Sequence, residues 1–320
     1  MHKLNTFLHS SKDLVPYRTK YEYYNDFEKN PSVGPSRPSL LVASSYDLIC
    51  DTETINQGDF WTYVIVCVRR PGKYRNLVTE KLLKDNEVKW SKIMNNYMIE
   101  KTIFNDMYWF AFNAFKLSGP ELDAFIIYQA LNSTHGLLER NSYYLDTLME
   151  ILCTRSYRQI CEIKKMYLKY YNVNLTDSVC SKLKGSLKTF FFNILTKNKD
   201  QFIEIFSRIN FVDIKDMITY FQEVRNVDIT CRLKGILASK LRKCANAISE
   251  YCTNKELFFA KCCKEYIRNS NIKGAISIIL TRSEIDLSDI IEEYRLRYKI
   301  WLIDDIQKLC ETSYKPLCQL

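Results

Sequence analysis

Glycine and proline are scarce in this chain, 8 and 7 among 320 residues. β-rich folds need many more of both for their turns, so the shortage excludes them and points to helices joined by short connections. Histidine is scarcer still: there are 3, and His2 and His9 lie near the N-terminus while His135 stands alone. A histidine-dependent catalytic site is not expected. No apolar run approaches the roughly eighteen residues a membrane-crossing helix requires, Phe60–Val68 being the longest candidate. The opening MHKLNTFLHSSKDLV has no continuous apolar stretch, so export by a cleaved signal is not expected either.

Other familiar constellations are also missing. There are 12 cysteines but no Cys-x-x-Cys, and most of them fall in helix-period segments. In a reducing compartment such thiols pack as small hydrophobes, with the adjacent Cys262 and Cys263 the expected oxidation-sensitive spot. No glycine-rich phosphate loop stands out. Ser181-x-x-Lys184 matches a Ser/Lys nucleophile spacing, but the partner motifs of that chemistry are absent. The reading is therefore of a protein that is not an enzyme. The net charge of +9 is spread along the chain and comes with no base-reading motif, so nucleic acid is not the expected partner.

What is present is a repeat. Leu145–Leu175 reads LDTLMEILCTRSYRQICEIKKMYLKYYNVNL, and Ile272–Leu302 reads IKGAISIILTRSEIDLSDIIEEYRLRYKIWL. In both, an apolar helix-period segment runs into Thr-Arg-Ser, and an amphipathic helix with tyrosines near its end follows. Weaker copies run Tyr63–Arg70 then Leu77–Trp90, and Phe202–Arg208 then Ile214–Val224. Repetition on this scale predicts stacked helical units sharing a core. Each unit ends its first strong helix on an arginine, Arg70, Arg155, Arg208 or Arg282, expected to be structural and to bond the last carbonyls of its helix and the neighbouring loops.

These segments resemble annexin repeats. The likeness runs from about Ser45 to the C-terminus and is closest at FFAKCCKEYIRNSNIKGAISIILTRSEIDLSDIIEEYRLRY. The resemblance implies an all-α fold: an annexin-like array of four repeats, each of helices A to E, forming a curved disc behind an irregular N-terminal tail. The expected divisions are a tail over 1–44, repeat one over 45–120, repeat two over 121–197, repeat three over 198–255 and repeat four over 256–320. Arg155 and Arg208 stand only 53 positions apart, against 85 and 74 for the other intervals. The third repeat is therefore expected to be truncated, without its first helix.

The resemblance also implies calcium-dependent binding to anionic membranes, and that expectation can be tested on the residues. Calcium takes about six to eight oxygens. The family supplies carbonyls from a Gly-x-Gly-Thr loop between helices A and B, and a bidentate acid from the loop between D and E. Here the acid positions fall at Lys182, Ile236 and Leu309, with Glu311 two residues on. Gly136 is the only glycine of the Leu131–Asn141 loop, and Ile267 and Asn269 occupy the two glycine positions of repeat four. Repeat one offers Thr54–Asp59, including Gly58 and Asp59, with Glu100 as its distal acid. Calcium is thus implied by resemblance only, with Gly58, Asp59, Gly136 and Glu311 as the candidates.

Two functions follow from this. The first is an annexin-like binder of phospholipid membranes, cytoplasmic and peripheral, whose calcium dependence is weak or lost. Lys182, Lys184, Lys240, Arg242 and Lys243 would contact phosphates at about 1 kcal/mol each. The alternative is a calcium-independent protein-interaction scaffold, using the disc surface or the tail, where Leu4, Phe7 and Leu8 are spaced for an amphipathic turn.

Overall fold

A computed structural model describes residues 47–58, 72–87, 119–132, 143–196, 211–223, 239–283 and 285–313, with a few single positions between them. The described residues form thirteen long helices and no strand. They are α1 (Leu48–Gln57), α2 (Gly72–Asp85), α3 (Pro120–Asn132), α4 (Tyr143–Leu152), α5 (Tyr157–Tyr171), α6 (Leu175–Lys182), α7 (Gly185–Thr196), α8 (Phe211–Glu223), α9 (Ser239–Thr253), α10 (Lys255–Arg268), α11 (Ile272–Arg282), α12 (Leu287–Tyr298) and α13 (Leu302–Ser313). The all-α class read from the sequence is the class observed. The tail over 1–44, Asp59, Glu100, Gly136, Arg208, Ile236 and the stretch expected to lack a helix (197–210) lie outside the described residues.

The chain divides into two compact units. One holds Pro120–Cys262 and is built chiefly from α3 to α9. Within it α5 packs along α3, and α4, α7 and α9 pack on one another. The core is contributed by Ile126, Ile127, Leu148, Ile151, Ile163, Phe191, Leu195 and Ile248, all at least nine-tenths buried. Tyr128 of α3 and Tyr171 of α5 stack with ring centres 3.7 Å apart, and Tyr167 packs against both. The tyrosines that mark the end of this copy of the repeat therefore fix one helix to another, while Tyr170 faces outward and donates to Glu121 at 2.9 Å.

The local sequence explains the helix ends. Ser156 opens α5 with a reciprocal capping box, its side chain accepting from the Gln159 amide while Gln159 accepts from the Ser156 amide. Asn172 closes the helix in the left-handed conformation at φ 53°, which asparagine tolerates better than most residues. Asn174 then caps α6 through the Thr176 amide. Leu183 is buried in the extended link that follows, and Gly185 takes φ +56° to start α7.

The other unit contains α1 and α2 together with the chain from Cys263 onward. Asp47 caps α1, accepting from the Ile49 and Cys50 amides at 2.7 and 3.3 Å. Ile55, Val78, Leu82, Ile278, Ile290 and Tyr294 are fully buried. Two expectations are corrected here. Thr54 to Gln57 are the last turn of α1 rather than part of a loop: Thr54 bonds back to the Cys50 carbonyl at 2.8 Å, and Ile55 must stay on the buried face. The helix placed at Leu77–Trp90 instead runs Gly72–Asp85.

Candidate functional site: the lysine-bearing helix starts and the buried arginine pairs

Lys182 is the last residue of α6, and Lys184 immediately precedes α7. Both are exposed, as is Lys188 in the first turn of α7. Buried Leu183 anchors the link, so the lysines on either side of it project outward from a fixed backbone. A side-chain carbon added at Gly185 would meet nothing within 4 Å, so the link is open to solvent. Lys182 sits favourably at the negative end of its helix dipole. Lys184 and Lys188 do not, because the start of a helix carries partial positive charge and the first turn of α7 has no acid.

The start of α9 repeats the pattern. Lys240 and Lys243 are exposed in its first turn and Arg242 is half-buried, again with no acid in that turn. The five basic residues expected at a phosphate surface thus fall in one unit, at the ends of α6, α7 and α9, and α7 packs on α9. Sequence reasoning missed Lys188, although its four-residue spacing from Lys184 was there to find. The Ser181 hydroxyl donates to the Ser178 carbonyl at 2.8 Å.

The candidate calcium loops have other occupations. Between α10 and α11 only Asn269, Ser270 and Asn271 intervene. The Asn269, Ser270 and Asn271 amides bond the carbonyls of Glu265, Ile267 and Tyr266 at 3.0, 3.0 and 2.7 Å, closing a short turn on the end of α10. Glu265 is shared by Arg268 and the Asn269 side chain. Ile267 belongs to the last turn of α10 and is buried. Leu309 is buried on α13, on which Glu311 also lies, so the expected acid position faces the core. Gly58 has φ −103°, an ordinary extended backbone, and its amide donates to the Ile55 carbonyl. Among the described residues no three His, Cys, Asp or Glu side chains converge to hold a metal ion. Of the described positions, Lys182, Ile267 and Leu309 do not fit the calcium chemistry that the resemblance implies.

Three of the arginines at the repeat turns, Arg70, Arg155 and Arg282, pair with carboxylates. Arg70 donates from Nε and Nη2 to both oxygens of Asp51 on α1, at 2.7 and 2.6 Å. Arg155 does the same to Asp123 on α3, at 2.8 and 3.0 Å. Arg282 uses the same fork on Asp286, four residues on, with Nε at 2.8 Å. Asp51 and Asp123 each stand fourth in their helix, and Phe258 occupies that place in α10. The sequence reading missed all three acids. Near Asp51 the Tyr74 hydroxyl is pushed above its ordinary range, first by burial and then by the charge of Asp51, to which it donates at 3.1 Å.

Successive helices whose turns carry buried arginine–carboxylate forks define an all-α helical-repeat protein. Residues 143–194 match the family model "Annexin". Annexin A3 of Rattus norvegicus is 25% identical over 204 residues, covering 54% of this chain and 63% of that protein. The match thus spans less than two thirds of its relative's length. Chicken annexin V superposes with a TM-score of 0.66 at 16% identity, covering 85% of this chain and 94% of that one. Calcium-bound annexin (Sm)1 gives 0.64 at 13% identity, with 87% and 91% coverage. At such identities the superpositions establish the fold alone. Family model, relatives and fold agree in their likeness to annexins, with the family model matched over residues 143–194.

Proposed function

We propose that this chain binds anionic phospholipid surfaces peripherally, by lysine side chains and with weak or no calcium dependence. The observation that carries the reading is the placement of Lys184 and Lys188 at the start of α7, and of Lys240 and Lys243 at the start of α9, in turns without an acid. Exposed cations at the positive end of a helix are unfavourable in isolation. An approaching phosphate reverses that, because helix starts and ammonium groups both favour an anion. Membrane binding is the family's activity, and its calcium route is the one that Lys182, Ile267 and buried Leu309 oppose. No helix among the described residues is long and apolar enough to cross a membrane, in keeping with contact from the surface. The role is binding rather than catalysis, at the cytoplasmic face of a membrane.

The alternative, a calcium-independent protein-interaction scaffold, has its own support. Leu168, Tyr170 and Val173, in and just after the last turn of α5, are each about half exposed.

Co-sedimentation with phosphatidylserine-containing vesicles separates the two. The membrane reading expects binding that survives chelator and weakens as salt rises, because screening shortens the reach of surface charge. Binding abolished by chelator would restore the calcium route, and no binding under any condition would leave the scaffold.

A further inference from the structure

The tyrosines of the Pro120–Cys262 unit make a contact whose chemistry surface binding does not use. Tyr128 of α3 and Tyr171 of α5 lie face to face, with ring centres 3.7 Å apart and planes inclined by only 5°. Aromatic pairs usually sit offset or edge to face, with centres about 4.5–7 Å apart. At the shorter distance the rings overlap, and carbons of one are in van der Waals contact with carbons of the other. Both side chains are half-buried, so each ring keeps access to solvent. Tyr167, 1% exposed, packs tilted against both, its ring centre 6.0 Å from that of Tyr128 and 5.1 Å from that of Tyr171.

The C-terminal copy of the repeat lacks this stack. Its counterpart of Tyr171 is Tyr298, each standing 16 positions after the arginine of its turn, Arg155 or Arg282. The place of Tyr128, ninth residue of α3, is held in α10 by Cys263. Tyr298 packs tilted on Tyr294 at 4.8 Å instead, with the Lys264 ammonium over its ring. Helix packing of this kind therefore does not require two stacked phenols. The pair adds a chemistry that cysteine and lysine at those places lack.

We propose that Tyr128 and Tyr171 are an oxidative cross-linking site, at which one-electron oxidants join the two rings as dityrosine and tie α3 to α5. Each phenol gives one electron to the oxidant and one proton to water, leaving a phenoxyl radical shared between the oxygen and the ortho carbons. The two radicals couple through a carbon–carbon bond between ortho positions. The hydrogen on each bonded carbon then moves as a proton to the oxygen of its own ring, which restores both aromatic rings and both hydroxyls. The pair loses two electrons and two protons in all, and two equivalents of the oxidant are reduced.

The stack governs the outcome. Separate tyrosyl radicals must meet by diffusion, whereas here the partner ring is already held in contact. Tyr167 touches both rings and gives a radical on any of the three a path to the others. Burial pushes the Tyr171 phenol above its ordinary range, and the neighbouring tyrosines add to the shift, so it stays protonated at neutral pH. Oxidation must shed that proton, and the site answers to strong one-electron oxidants rather than to peroxide itself. The bond resists thiol reductants and so records the exposure permanently. It closes a loop between positions 43 apart, which restricts the unfolded chain and stabilises the unit.

The test illuminates the folded, full-length chain briefly with tris(bipyridyl)ruthenium(II) and persulfate, at a protein concentration low enough to make encounters between molecules rare. Each persulfate takes up the two electrons and leaves as two sulfates. The chain of monomer size is isolated, its dityrosine fluorescence is recorded, and its peptides are mapped by mass spectrometry. The expected product joins the Tyr128 and Tyr171 peptides, is lighter by two hydrogens than their sum and survives reduction by dithiothreitol. It should be absent from Y128F and Y171F, and many-fold scarcer when the chain is oxidised unfolded in urea. A monomer without dityrosine, dityrosine mapped only to other tyrosines, or a Tyr128–Tyr171 product formed as readily in urea would overturn the proposal. Should either variant fail to fold, the wild-type maps in buffer and in urea decide alone.

Discussion

Arg155 and Asp123 stand 32 residues apart in sequence and meet through two parallel hydrogen bonds, with neither side chain reaching solvent. The fork fixes the turn after α4 to the first turn of α3, which single-point contacts between helices do less well. The Thr154 hydroxyl accepts from Nη1 of Arg155 at 2.9 Å, so these two neighbours form one bonded unit.

Breaking this pair leaves an uncompensated buried charge, so Asp123→Ala should cost about 3–5 kcal/mol. The double variant D123L/R155M should recover much of that loss, because a well-packed apolar pair avoids desolvating both ions. Urea unfolding of the two proteins checks this. Equal destabilisation of both would mean that the fork adds net stability beyond its packing.

Gly274 predicts a second, steric cost. A side-chain carbon there would lie 2.7 Å from the ring of Tyr266, which is itself buried. Gly274→Ala should therefore lose about 1–3 kcal/mol by overpacking. Adding Y266L should restore part of the loss in thermal unfolding, whereas a purely conformational effect would be indifferent to Tyr266.

Much of the fold could be read from the sequence, because the repeat shows itself through residues that cannot vary independently. Thr154-Arg155-Ser156 and Thr281-Arg282-Ser283 close the same kind of helix and precede the same kind of amphipathic one. The acids were harder to read. A buried arginine says only that a carboxylate is needed, and three-dimensional packing chooses which one. Yet the copies held a clue. The position three after Ser156 is Gln159, a capping-box residue, whereas three after Ser283 comes Asp286, the partner of Arg282. The acid absent from α10, where Phe258 stands, reappears in the turn. The end of α1 misled for the opposite reason: Gly58 suggests a loop, but Ile55 is held in the core and carries the helix to Gln57.

Acid should loosen the C-terminal helices. Asp305 accepts from Lys264 at 2.5 Å and from Tyr294, and Lys264 lies over the rings of Tyr294 and Tyr298. Burial opposes the charge on Asp305, but these hydrogen bonds outweigh it and hold the carboxyl below its ordinary range. The unfolded chain therefore takes up this proton at higher pH than the folded one. The resulting stability is present above the ordinary carboxylate range and is lost as pH falls toward the folded value. Asp305→Asn should flatten that acid limb in unfolding measured across pH, and an unchanged limb would assign it to other carboxylates.

The lysines at the start of α7 set stability against binding, which gives the most discriminating prediction. Replacing Lys184 by Glu puts a favourable charge at the positive end of a helix, worth about 0.3–1 kcal/mol in added stability. The same change removes an attraction to anionic lipid of about 1 kcal/mol and replaces it with repulsion, so vesicle affinity should fall by roughly tenfold or more. Lys182→Glu places a negative charge at the negative end of α6 and should lose both stability and binding. Two substitutions two residues apart thus move binding in the same direction and stability in opposite directions. If the lysines were only a solvated face, vesicle affinity would not move with either change, while the two stability shifts would remain.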